Sequence, residues 1–207
     1  KENPKVKVLG CGINSDSCKL LSIYSAKTEG HSVTKARIDK MTYLRNLSLD
    51  FVKENYSHFD YLIVWDLDLV GNVYVDGIQN SFGHFRSNPL INVICANGIY
   101  RYLGFLSIYY DTFAHLDYSD DFDINNKLKH DIKKGISVRG TRGDELRKVR
   151  SCFAGFSIYK LGPIIQGKIS YYETPSNKLL CEHTTLCDQL SEVYMNPSMV
   201  YYIIKNG

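Results

Sequence analysis

A chain of 207 residues, 44% hydrophobic and 23% charged with a net charge of +3, has the composition of a folded domain and not of a disordered segment. The charge is too small to call for nucleic acid or an anionic membrane surface as a partner. No apolar run has the length of a membrane span, and no secretory signal opens the chain.

The chain starts at Lys1 and not at Met, so additional domains in a full-length protein are expected. Cys11, Cys18, Cys95, Cys152, Cys181 and Cys187 show no paired spacing. Cys181-Glu182-His183 with Cys187 lacks the second ligand pair of a zinc site. Reduced thiols and a cytoplasmic location are the expectation. The 16 Tyr and one Trp suit stacking on sugars or bases, and equally suit buried and edge strands.

Residues 5–9 (KVKVL) read as a strand running into Gly10-Cys11-Gly12, with Ser15 or Asp16 placed to cap a following helix. This is how nucleotide folds begin, although the third glycine of the dinucleotide fingerprint is missing. Residues 36–56 form the clearest helix, with Ile38, Met41, Leu44, Leu47 and Phe51 as its apolar stripe. Arg37 and Arg45 fall within or beside that stripe. Each is either a structural ion pair with an Asp at the core edge or a guanidinium aimed at phosphate oxygens.

Residues 61–72 (YLIVWDLDLVGN) carry an uncharged apolar run straight into Asp66-Leu67-Asp68. The run predicts a strand buried on both faces inside a parallel sheet, and its carboxyl end is where ligands bind in open α/β folds. Two neighbouring carboxylates there ask for a positive partner. Residues 91–96 (INVICA) predict a second buried strand, residues 152–160 (CFAGFSIYK) a third, and residues 199–204 a last one. The polar segment 117–150 is the expected lid or solvated connection. Ala154 and Gly155 are small enough to let a ligand or a neighbouring chain come close. One domain is the economical description.

The diacid has three readings from its residues alone. It holds Mg²⁺ or Mn²⁺ for a diphosphate; or Asp66 is a phosphorylated nucleophile, as in haloacid-dehalogenase-type phosphatases; or the pair only caps a turn before Gly71-Asn72. The phosphatase reading lacks its downstream Lys and paired Asp. A non-catalytic sugar-binding module is the alternative outside enzymes.

Taken in order, Arg37, Leu44-Arg45-Asn46, Asp66-Leu67-Asp68, Tyr110-Asp111, Ser151-Cys152-Phe153-Ala154-Gly155-Phe156-Ser157-Ile158-Tyr159 and Cys181-Glu182-His183 resemble a GT-A glycosyltransferase. More narrowly, they are similar to glycosyltransferases of large algal (chlorella) viruses and to fungal capsule-associated mannosyltransferase-like proteins, over most of the chain.

The resemblance implies an α/β fold: a single GT-A, Rossmann-like domain over residues 1–207, its central, mostly parallel sheet flanked by helices. Residues 1–96 would bind nucleotide sugar and metal, and residues 97–207 would form the acceptor side. It implies transfer of a sugar from a nucleotide sugar, UDP-linked before GDP-linked, to a glycan acceptor with Mn²⁺ or Mg²⁺. If the source is viral, the location would be the host cytoplasm. Gly10, Cys11 and Gly12 would lie against the nucleoside, with Arg37 and Arg45 on the phosphates or donor sugar. Asp68 would bind the metal directly, Asp66 would reach the metal or ribose, Leu67 lies between them, and His183 would complete the metal site. Glu182 or Asp111 would stand near the reacting carbon or the acceptor hydroxyl. Glu173 competes with them as a base, and that lack of a single base favours retention of configuration.

Overall fold

The computed structural model describes residues 34–120, 132–175 and 179–204. The expected first strand and the Gly10-Cys11-Gly12 turn lie outside the described residues. In chain order the described elements are α1 (Lys35–Asn55), β1 (Tyr61–Trp65), β2 (Gly71–Val73), α2 (Val75–Ser87), β3 (Val93–Tyr102), β4 (Leu106–Tyr109), α3 (Ile132–Val138), β5 (Arg147–Val149), β6 (Phe156–Lys160), α4 (Leu161–Gln166), α5 (Glu182–Asp188) and β7 (Val193–Ile203).

Helix α1 starts where Thr34 accepts the Arg37 N–H through its hydroxyl at 3.3 Å, satisfying one of the unpaired donors of the first turn. No Gly or Pro interrupts the next 21 residues. Its buried face is rotated from the expected stripe: Ile38, Thr42 and Leu49 are buried, whereas Leu44, Leu47 and Phe51 are only half-buried. Arg45 shares the buried row with them, at helical spacings of three and four from Thr42 and Leu49. Asn46 fastens the helix to a later segment by donating to the Tyr171 carbonyl at 2.7 Å and accepting its N–H at 2.9 Å.

The strands form one sheet in the order β1-β6-β3-β7-β2, with β4 added beside β3 and β5 beside β7. Among the described pairings only β3 with β7 is parallel, so the sheet is mixed and the mostly parallel expectation is corrected. A continuous apolar run reports burial on both faces and carries no information about strand direction. β3 turns back into β4 through Leu103 and Gly104, at φ 50° and 79°, and such a tight turn joins only antiparallel neighbours.

β1 also departs from expectation. It pairs antiparallel with β6, from Tyr61 opposite Lys160 to Trp65 opposite Phe156, and Ile63 and Trp65 are each 45% exposed. The doubly covered strands are β3, β6 and β7, whose side chains alternate between two cores. Val93, Cys95 and Met195 pack with Leu49 and Leu186 on the α1 and α5 side. Ile94, Ala96, Met199 and Tyr201 pack with Phe85 on the α2 side. The boundaries of the strands shift accordingly: β3 runs on past residue 96, β7 begins at Val193, and β6 begins at Phe156 because Ala154 and Gly155 form a turn.

One further expectation is corrected. Cys95 on β3 and Cys152 form a disulfide with Cα atoms 5.9 Å apart, which no spacing rule reveals because 57 residues separate them. Cys181 and Cys187 are buried free thiols. The described parts of segment 117–150 are fixed to the body: Arg147 pairs with Asp117 at 2.8 Å, and Lys134 donates to the His115 carbonyl at 2.8 Å and to Asp120 at 3.1 Å. They do not line the cleft described next.

Candidate active site

The diacid leaves the end of β1 in a chain segment pinned by its backbone. The Asp66 N–H donates to the Gly155 carbonyl at 2.9 Å, and the Tyr201 hydroxyl donates to the Leu69 carbonyl at 2.9 Å. The turn supplying the Gly155 carbonyl is strained, with Ala154 at φ 55° and Gly155 at φ 81°. A left-handed alanine costs about 1–2 kcal/mol, and a Cβ on Gly155 would lie 2.6 Å from Leu69 Cδ1. The Ala154 N–H donates to Asp111 Oδ2 at 3.3 Å, and the Ala114 N–H to Asp111 Oδ1 at 3.2 Å. Asp111 therefore ties the strained turn to the chain leaving β4.

Around this frame lies a cleft of about 520 Å³. Arg37, Arg45, Asp66, Leu67, Asp68, Asp111, Glu182 and His183 all line it, brought from α1, the end of β1, the β4 exit and the start of α5. The sheet thus draws both halves of the chain into one site. Glu173 is exposed and is not among the lining residues. Trp65, Tyr110, Phe113 and Phe153 form aromatic wall that the residues alone did not nominate for a role. For Trp65 a signal existed: the single Trp of the chain directly precedes the diacid.

Charge in the cleft is organised by Arg45. Its Nη2 donates to Asp66 Oδ1 at 2.5 Å, its Nε lies 3.7 Å from Glu182 Oε1, and its guanidinium sits 5.2 Å from the centre of the Phe153 ring. Burial is the largest single influence and works against the guanidinium charge, but Asp66, with smaller pushes from Tyr171 and Glu182, raises the Arg45 pKa on balance. Burial also raises the pKa of Asp66 and of Glu182, and Arg45 holds back both rises. Asp111 is pushed up to about 7, by burial first and then by Asp66 and Glu182, against the lowering effect of its two N–H donors. Asp66 and Glu182 thus share one buried cation, and Asp111 lies close enough to both to feel their charge.

Asp68 and Arg37 stand apart from that network. Asp68 is exposed and has no hydrogen bond or ion pair among the described residues; the Arg37 side chain, half-buried, likewise has none. His183 is buried and lies flat on Phe153, with ring centres 3.5 Å apart and an angle of 12°.

For a metal, the donor set divides. Two carboxylates on one turn are the hard oxygen donors that Mg²⁺ or Mn²⁺ accepts when phosphate oxygens supply the rest. Among the described residues, however, no three His, Cys, Asp or Glu side chains are grouped to hold an ion by themselves. His183 is not arranged with Asp66 and Asp68 as a ready third ligand. No protein-family model matches the chain, and neither does any curated protein.

Proposed function

We propose that the chain is a glycosyltransferase that moves a sugar from a nucleotide sugar, UDP-linked before GDP-linked, to a glycan acceptor. The observation that carries this reading is one cleft in which a carboxylate, Asp68, and a guanidinium, Arg37, neither with an ion pair among the described residues, stand beside Asp111 and an Arg45 that faces Asp66 and Glu182. A magnesium or manganese diphosphate presents both charges that such a pair would meet. Asp68, with Asp66, would hold the cation, and Arg37 would bind phosphate oxygens. When bound, the ion neutralises the charge that develops on the departing diphosphate. The roles given to Gly10, Cys11 and Gly12 remain part of the resemblance.

Neither buried carboxyl group is a free base. Both oxygens of Asp111 already accept backbone N–H groups, and Glu182 faces Arg45. That favours retention, with an oxygen of the departing diphosphate taking the acceptor's proton. The lining holds two arginines and, among the described residues, no lysine, which favours diphosphate transfer over the phosphatase alternative.

Titration calorimetry of UDP, with and without Mn²⁺, tests the reading. Metal-dependent binding that is lost in Asp68→Ala is expected. Absent or metal-independent binding in the native sequence overturns it.

A further inference from the structure

The buried wall of the cleft contains two side-chain nitrogens with no hydrogen-bond partner among the described residues, Arg45 Nε and His183 Nε2, both inaccessible to solvent. They converge on one atom: Glu182 Oε1 lies 3.7 Å from the first and 3.6 Å from the second. A buried N–H left without an acceptor is destabilising, so each gains from a common acceptor that comes a few tenths of an ångström closer.

The rest of the imidazole is fixed around that vector. One face stacks on Phe153, its edge meets Tyr171 at 5.8 Å between ring centres, and Nδ1 faces the Tyr159 hydroxyl at 3.5 Å. A hydroxyl that donates to Nδ1 leaves Nε2 as the protonated nitrogen. Burial, and then the Arg45 charge, lower the His183 pKa and keep the ring neutral. A protonated Nε2 cannot ligate a cation, and a ring packed on three sides cannot turn to offer Nδ1.

The geometry points to His183 as a positioning residue: its Nε2–H, together with Arg45 Nε–H, fixes Glu182 Oε1, and it takes no part in metal binding. Glu182 Oε2 is contacted by the Cys181 thiol at 3.5 Å, a weak donor that leaves acceptor capacity on the cleft side. Glu182 would therefore accept a hydroxyl of the bound donor sugar. That last role rests on the proposed glycosyltransferase reading; the placement of His183 does not.

Long-range ¹H–¹⁵N correlation spectra of the native protein read the tautomer directly. A neutral ring protonated at Nε2, unchanged on adding MgCl₂ with UDP, is expected; protonation at Nδ1, or a shift of either ring nitrogen on adding the metal, overturns the proposal. In parallel, Mn²⁺-dependent UDP affinity should stay within twofold in His183→Gln, which keeps a donor, and in His183→Leu, which does not. A tenfold loss in both would make His183 a ligand after all. UDP release from a panel of UDP-sugars should fall at least tenfold in kcat for His183→Leu with KM changed less than threefold, and be restored to within threefold by His183→Gln. Equal loss in the two variants overturns the positioning role. If the native protein binds no UDP, the functional reading fails, while the tautomer still decides where His183 points.

Discussion

Arg45 on α1 and Asp66 at the end of β1 meet through a 2.5 Å hydrogen bond across 21 residues of sequence, inside a half-buried cleft wall. The pair joins the helix layer to the strand that presents the diacid, and Glu182 leans on the same guanidinium. Removing Arg45 leaves two carboxyl groups with raised pKa values and no cation between them. Arg45→Ala should therefore cost about 3 kcal/mol of stability, the usual loss on breaking a buried ion pair from one side. Adding Asp66→Asn should recover part of that loss. Urea unfolding of the two single variants and the double variant measures the coupling; additive losses would deny that the ion pair organises the wall.

Asp111 makes a prediction about pH. Its carboxyl is pushed up to about 7 by burial and by Asp66 and Glu182, whereas in the unfolded chain it ionises near 3.8. Between those values the native state keeps a proton that the unfolded chain has released. The stability this group lends is complete below about pH 4 and is lost as the pH rises through about 7, on the order of 4 kcal/mol in all. Asp111→Asn forfeits one acceptor for a backbone N–H but does not titrate. The advantage of the native sequence over this variant should therefore shrink between pH 5 and pH 8 in urea unfolding. Parallel pH profiles would refute the assignment.

How much of this was legible in the residues varies from element to element. Arg45 was marked by its misfit, a cation in an apolar stripe, and the ion-pair half of that reading is what the fold contains. The helix itself needed only spacing and the absence of Gly and Pro. Strand direction was illegible, because INVICA and CFAGFSIYK say only that both faces are covered. The buried face of α1 departs from the apolar stripe because Thr42, not Leu44, is buried; which turn of a helix faces the core depends on partners distant in sequence, here the α5 segment and Tyr171. His183 enters through the resemblance, yet its surroundings come from Phe153, Tyr159 and Tyr171, which no local pattern connects.

The Cys95–Cys152 bridge conflicts with the expectation of reduced thiols and favours an oxidising compartment over the cytoplasm. In the chain-entropy picture, closing a loop with a 57-residue separation stabilises by about 4 kcal/mol. Cys95→Ala with Cys152→Ala should lower stability by about 2–4 kcal/mol, and reductant should destabilise the native sequence without affecting the double variant. Peptide mapping after alkylation, with and without reduction, provides the direct check: both cysteines labelled without reductant would exclude the bridge.

The two carboxylates of the diacid should separate in their effects. Asp66 is joined to Arg45, and its loss leaves that buried guanidinium, among the described residues, with the more distant Glu182 as its carboxylate partner. Asp68 is exposed and makes no such bond among the described residues. Asp66→Ala should accordingly lower stability by about 2–3 kcal/mol, as one-sided removal of a partly buried partner does, while Asp68→Ala should stay within about 0.5 kcal/mol of the native sequence. On the proposed function both variants lose Mn²⁺-dependent UDP binding, so a thermal melt and a calorimetric titration together distinguish them. Asp68→Ala would bind no metal-dependent UDP while melting as the native protein does. If it instead melts many degrees lower, Asp68 belongs to the fold; if it still binds with Mn²⁺, the cation is held elsewhere.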